Sequence, residues 1–201
     1  MKVESFQVMN HDRVTVMKPN THLASKMLQV IKNEPCADLL AFLPLGHSCA
    51  LLSDWVLSDV EETLSTLAQK WRDDTESITL IMWDNSHNEW NGLIRLTQQS
   101  DVETETVKID CWIRPRYAGS GNARLALNLI QRELQQQYPQ LTLTICCKET
   151  DVMQRGLALI CGFHYHSTVK QAVILPSGLI DNLVIYAQKA LNESDPICQT
   201  A

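Results

Sequence analysis

Hydrophobic positions along the chain change spacing several times, and each change marks an element. Arg13 to Met17 is a short β-prone run. Leu23, Met27, Val30 and Ile31 then recur at helical spacing, so a helix capped by Asn20-Thr21 is expected through about Lys32. A second short helix is expected over Pro35 to Phe42. Leu43 to Val56 carries Pro44, Gly46, His47, Cys49 and Trp55 without a clear period and reads as a loop. Ser58-Asp59-Val60-Glu61 has the spacing of a capping box, in which the Ser hydroxyl and the Glu carboxylate each satisfy a free amide at a helix start. That helix should reach about Trp71.

From Glu76 the apolar period shortens to that of strands. Ile78 to Trp83 and Gly92 to Thr97 flank Asp84-Asn85-Ser86-His87-Asn88, a set of turn formers, which predicts a β-hairpin. Val107 to Ile113 is the next strand, ended by Pro115, which has no amide hydrogen to pair. Beyond it Ala123, Leu127, Ile130 and Leu134 form the face of an amphipathic helix packing on a sheet. Leu141 to Cys147 alternates as a half-buried strand, parallel to the previous one if the helix between them is a right-handed crossover. Asp151 to Cys161 is expected to be helical and to stop at Gly162-Phe163. His164 to Leu175 and Leu179 to Gln188 predict two strands around Pro176-Ser177-Gly178, and the tail after Asn192 is polar. Without repeat or linker, residues 1–201 read as one domain with a core of about 13–190.

Composition narrows the chemistry. At 201 residues, 45% of them hydrophobic, the chain can bury a core without metal or disulfide staples. A net charge of −6 and a pI of about 5.5 argue against nucleic acid and anionic lipid as partners. The 17 Lys and Arg are scattered, and their densest grouping is Arg114, Arg116 and Arg124. Seven cysteines without zinc spacing, and no signal-peptide pattern, predict a reducing cytoplasm and no metal site. No apolar stretch approaches the 18 or more residues that span a bilayer.

The three arginines lie in the stretch with the most chemistry, Trp112 to Leu127, and flank its glycine turn. There a strand breaks into Gly119-Ser120-Gly121 and then into a helix. Glycines permit a tight turn and close approach of a ligand, while the new helix leaves its first amides unpaired at the positive end of its dipole. That is an anion cradle suited to a pyrophosphate. A Rossmann dinucleotide site would want a third glycine where Arg124 stands.

The spacing Arg116-x-x-Gly119-x-Gly121-x-Ala123 after a strand resembles the acetyl-CoA-binding motif of the GCN5-related N-acetyltransferases (GNAT). The order of elements is the order of that superfamily. Gly162-Phe163 looks like the end of its fourth helix, and Gly178-x-x-Asp181 with Ile185-Tyr186-Ala187 looks like the last hairpin of one branch, the ribosomal-protein serine and alanine N-acetyltransferases. Asn91-Gly92-Leu93-Ile94, Ile109-Asp110-Cys111-Trp112-Ile113 and Lys170-Gln171-Ala172 also match that branch, and the similarity spans roughly Arg13 to Ala190.

The resemblance implies an α+β, α/β/α sandwich with a mixed, mostly antiparallel sheet and a parallel pair splayed at the cofactor. It implies acetyl-CoA as donor, an amine acceptor such as a protein N-terminus, direct transfer, and a cytoplasmic enzyme for which a homodimer is compatible. Cofactor contacts fall on Trp112, Ile113, Arg116, Tyr117, Ala118, Gly119, Ser120, Gly121 and Asn122, and Leu43 to Val56 falls on the acceptor side. Catalytic positions fall on Cys147, Asp151 and Gln154, which otherwise read as core, helix cap and solvated first-turn residue. The last two depart from the family's Asn and Ser, its base falls on Val173, and its general-acid tyrosine falls on Ala158. A catalytically degenerate cofactor-binding module is the alternative. His164 and His166 share one face of an ideal strand, as a proton relay or as solvated side chains.

Overall fold

The computed structural model describes residues 8–34, 39, 42–43, 52–73, 76–100, 105–174 and 178–188. Two strands, β1 (Met9–Asn10) and β2 (Val14–Met17), precede helix α1 (Ala24–Asn33) and helix α2 (Leu57–Arg72). Strands β3 (Ser77–Asp84), β4 (Glu89–Ser100) and β5 (Glu105–Ile113) lead to α3 (Asn122–Gln137). Then follow β6 (Thr142–Lys148), α4 (Val152–Ile160), β7 (His164–Ile174) and β8 (Ile180–Gln188). The helix expected from Pro35, most of the loop from Leu43, Pro176-Ser177 and the tail after Asn192 lie outside the described residues.

The strands form one mixed sheet in the order β1-β2-β3-β4-β5-β6-β8-β7. β5 and β6 pair in parallel, as the crossover through α3 requires, whereas β2 with β3, β6 with β8 and β7 with β8 are antiparallel. The parallel ladder runs from Thr106↔Thr142 to Ile109↔Ile145 and stops there. Both strands continue, β5 to Ile113 and β6 to Lys148. β7 ends the order, and its ladder to β8 shifts register between Tyr165 and Ser167 and again between Val169 and Val173. Gln171, inside the second shift, has φ of 54°.

Contacts divide the chain into two compact units. The first contains residues through Leu96 together with Cys111–Leu129. Its core joins Met27 and Ile31 of α1, Val60 and Leu64 of α2, Ile81 and Trp83 of β3, Leu93 of β4 and Trp112 of β5. Helical spacing in α1 and α2 places these side chains on one stripe, and the removal of that stripe from water is what holds the helices to the sheet. The second unit contains Thr97–Asp110 and the chain from Ile130. There α4 stops in a Schellman motif: Gly162, with φ of 81°, donates to the Leu159 carbonyl and Phe163 to that of Ala158.

Three local expectations are corrected. α2 starts one residue before Ser58: the Val56 amide donates to Asp59 Oδ2 at 2.7 Å, so Asp59, not Glu61, closes the helix start. Asn20 caps a 3₁₀ turn over Thr21–Leu23, accepting from the His22 amide at 2.9 Å, and α1 follows it. His164 and His166 do not share a regular strand face, because the first register shift of β7 falls between their neighbours. No described helix is long and apolar enough to cross a membrane.

Candidate functional site

After β5 the chain makes a 3₁₀ turn over Pro115–Tyr117, and Ala118 donates to the Pro115 carbonyl. Gly119 and Gly121 follow with φ of 76° and 84°, a region in which a side chain costs about 1–2 kcal/mol. A Cβ built on either glycine meets no described atom within 4 Å, so the space over the turn is open. The first bond of α3 runs from Leu125 to the Gly121 carbonyl, and the Asn122 amide donates to Ser120 Oγ at 3.3 Å. The amides of Gly119, Gly121, Ala123 and Arg124 make no hydrogen bond among the described residues. Unpaired amides at a helix start form a concavity for an anion, and the residues present fit a diphosphate.

The turn is held from beneath. Asn122 is 1% exposed, and its Nδ2 donates to Asp84 Oδ2 at 2.8 Å. Arg13 Nη2 donates to Asn122 Oδ1 at 3.1 Å and to the Ser120 carbonyl at 2.8 Å. Asp84 also accepts from the His87 amide at 3.0 Å, and His87 Nδ1 lies 3.3 Å from Asp84 Oδ2. Burial raises the Asp84 pKa, but these hydrogen bonds outweigh it and hold the carboxyl below its ordinary value. The Asn122 side chain therefore supports the cradle and does not face a ligand.

Arg114, grouped by sequence with Arg116 and Arg124, is separated from them by burial. It is 2% exposed; Nε donates to Glu34 Oε2 at 2.9 Å, Nη2 to Glu34 Oε1, and Nη1 to Glu89 Oε2 at 3.3 Å and to the Trp90 carbonyl. With its donors engaged in this way it is a structural ion pair, not a ligand for an anion. Arg116 is 51% exposed and 3.1 Å from Glu89, while Arg124 is exposed in the first turn of α3. These two remain as cations at the rim. Tyr117 is buried and donates to Glu89 Oε2 at 3.0 Å; burial first, and then that bond, push its pKa up to about 12.

Trp112 packs in the core with its ring 5.3 Å from that of Trp90. A Cβ on Gly92 would lie 2.3 Å from the Trp112 carbonyl and 3.2 Å from Ile113 Cα, so only glycine lets β4 approach β5 here. Beside it Asn91 is 1% exposed, and neither Oδ1 nor Nδ2 has a hydrogen-bond partner among the described residues.

In the second unit Cys147 lies buried on β6, and burial first, then Asp151, push its thiol up to about 12. Asp151 caps α4, accepting from the Gln154 amide at 2.9 Å. Ala158 is fully buried, and Val173 closes the second register shift of β7. Tyr186 is buried, and its hydroxyl accepts from Arg155 Nε at 3.1 Å. Asp181 fastens the residue before the α4 cap: its Oδ2 accepts from Thr150 Oγ1 at 2.6 Å.

No family profile and no curated protein match the chain in sequence. Solved structures do match it in fold. The microcin C7 self-immunity acetyltransferase in complex with acetyl-CoA and AMP aligns with a TM-score of 0.70 at 18% identity, covering 89% of this chain and 93% of that one. The ribosomal-protein-S5-alanine acetyltransferase from Vibrio fischeri aligns with a TM-score of 0.72 at 11% identity, covering 95% and 100%. A ribosomal L7/L12 alpha-N-protein acetyltransferase in complex with coenzyme A aligns with a TM-score of 0.71 at 12% identity, covering 92% and 98%. The chain has the acetyltransferase fold. The expected α+β architecture, with its mixed sheet and one parallel pair, is that of these acetyltransferases.

Sequence reasoning located the glycine turn but missed its supports. Asp84 read as a turn former and Arg13 as the start of a strand. They meet Asn122 across 38 and 109 residues, and only the pairing of β2 with β3, which sets Val14 opposite Asp84, brings them together.

Proposed function

We propose that the chain is an acetyl-CoA-dependent N-acetyltransferase that moves an acetyl group directly to an amine. The observation that carries this reading is the glycine turn at the head of α3, with open space over both glycines and unpaired amides facing it. The acetyl-CoA and coenzyme A named with two of the structural neighbours support the choice of anion. Neighbours named for ribosomal proteins support a protein N-terminus as acceptor.

Acetyl-CoA supplies an acyl group on a thioester, whose C–S bond is exchanged for a C–N bond. The amides of Gly119, Gly121, Ala123 and Arg124 take the diphosphate oxygens, and Arg116 and Arg124 add positive charge at the rim. Arg116 must leave or share Glu89 to do so. The β5 backbone at Trp112 and Ile113 lines the donor arm. Holding the thioester carbonyl beside a neutral amine supplies most of the acceleration. A base that takes the amine proton adds about 10²- to 10⁴-fold. Cys147, its thiol protonated at neutral pH, is no carrier of an acetyl group, which supports transfer without a covalent enzyme intermediate. The free thiols of Cys111, Cys146, Cys147 and Cys161 fit a reducing cytoplasm.

A second reading, a cofactor-binding module without turnover, is favoured by Ala158 and Val173 at positions the family uses for proton transfer and by the engagement of Asp151 as a cap. Calorimetric titration with acetyl-CoA tests the first step. The wild type should bind and Gly121→Glu should not; equal binding by both removes the cradle assignment. A thiol-release assay with amines and N-terminal peptides then decides between the readings. Turnover above the buffer rate with any amine excludes the module, and binding without turnover across a broad panel favours it.

A further inference from the structure

We propose that Asp84 is a positioning residue for the diphosphate site: acting through Asn122, and opposed by Arg13, it sets the conformation of the glycine turn. The inference rests on the acetyl-CoA reading above, but the clamp itself is a property of the fold.

Two glycines at positive φ lose more backbone freedom on ordering than any other pair of residues would. Nothing among the described residues packs on the open side of either, so the turn has to be fixed from the other side. Asn122, at the end of the turn, is buried, and both of its polar ends are used. Its Nδ2 can only donate and its Oδ1 can only accept, so an acceptor on one side and a donor on the other fix the rotation of the amide. Asp84 is that acceptor and Arg13 that donor. The same Arg13 Nη2 also reaches the Ser120 carbonyl, between the two glycines.

The two charges come from strand ends that the β2–β3 ladder already holds side by side, since Val14 pairs with Asp84 and the Asn85 amide donates to the Arg13 carbonyl at 3.0 Å. A carboxylate alone beneath an anion site would repel the ligand. Arg13 offsets it, so the pair exerts directional hydrogen bonding with little net field. Amides aimed before the ligand arrives need no reordering on binding, which is how a residue with no ligand contact raises affinity.

The test compares Asp84→Ala, Asp84→Asn, Asn122→Ala, the double alanine variant and Arg13→Met with the wild type, reading CoA affinity by calorimetry and amide exchange at Ser120 and Asn122, the hydrogen-bonded amides of the turn. Loss of a hydrogen bond to a charged group should weaken CoA binding by about tenfold in Asp84→Ala. Asp84→Asn keeps an acceptor for Asn122 Nδ2 and should stay within about threefold of the wild type. The double variant should lose no more than either single one, because both cut the same bond. In turnover, KM for acetyl-CoA should rise with kcat unchanged, a split that general loosening of the fold does not produce.

Exchange at the turn should quicken in Asp84→Ala. Should that variant fail to fold, Arg13→Met, altered at an exposed position, reads the clamp from its other side with the same expected direction. Wild-type CoA affinity and wild-type exchange in folded Asp84→Ala or Arg13→Met overturn the proposal, as do losses that multiply in the double variant. A wild type that binds no CoA, yet whose turn exchanges faster in Asp84→Ala, upholds the clamp and removes the cofactor reading.

Discussion

Replacing Asn91 by leucine should make the protein more stable. The side chain is 1% exposed and both ends of its carboxamide lack a hydrogen-bond partner among the described residues. A buried polar group left unsatisfied costs about 1–3 kcal/mol, and leucine keeps the same branching and number of side-chain heavy atoms without that cost. For a chain of this length each kcal/mol moves the melting temperature by roughly 2–4 °C, so Asn91→Leu should melt about 2–12 °C higher. The rise should appear in calorimetric melts and as a higher urea midpoint with an unchanged slope. Asn91→Ala removes the same polar atoms but leaves a void, and should gain less or lose stability. A lower melting point for Asn91→Leu would refute the reasoning, because it would mean that a buried water satisfies the carboxamide.

Two further predictions concern titrating groups. The Arg114 hydrogen bond, ahead of every other influence, holds the Glu34 carboxyl below its ordinary value of 4.5, so its contribution is complete above that pH and is lost as pH falls through the depressed value. Urea unfolding between pH 3 and 7 should therefore show a shallower acid limb in Glu34→Gln, with about 3 kcal/mol less stability at pH 7; parallel curves would remove Arg114–Glu34 as the cause. The Cys147 thiol, pushed up to about 12, should resist iodoacetamide at pH 8 in the folded protein and react after unfolding, as peptide mass spectrometry would show. Equal labelling rates in both states would contradict its burial.

The elements were legible in the sequence wherever one chemical rule dominates. Gly162-Phe163 ended α4 because glycine takes the positive φ of a Schellman motif without the cost of a Cβ. Gly119 and Gly121 announced the cradle for the same reason. Where a second acid stood nearby, the sequence misled: Ser58 and Glu61 have the residues of a capping box, but the helix starts at Leu57 and the Asp59 carboxylate alone closes it by accepting from the Val56 amide. The site was legible only along the chain. Arg114 fell in the arginine group around the cradle because it stands two residues from Arg116, yet Glu34, 80 residues away, claims it. Asp84 and Arg13 were invisible as supports because strand register, not spacing, joins them to Asn122.

The two breaks in the β7 ladder bear on how the molecule meets its own kind. β7 is the last strand of the sheet and carries Tyr165, Val169 and Ile174 exposed. A terminal strand with a continuous row of amides and carbonyls invites another chain to add to it and grow into a fibril. Register shifts at Tyr165/Ser167 and Val169/Val173, with Gln171 forced to positive φ, interrupt that row twice. Among the described residues nothing pairs with the outer side of β7, and the two breaks leave an incoming strand few uninterrupted partners.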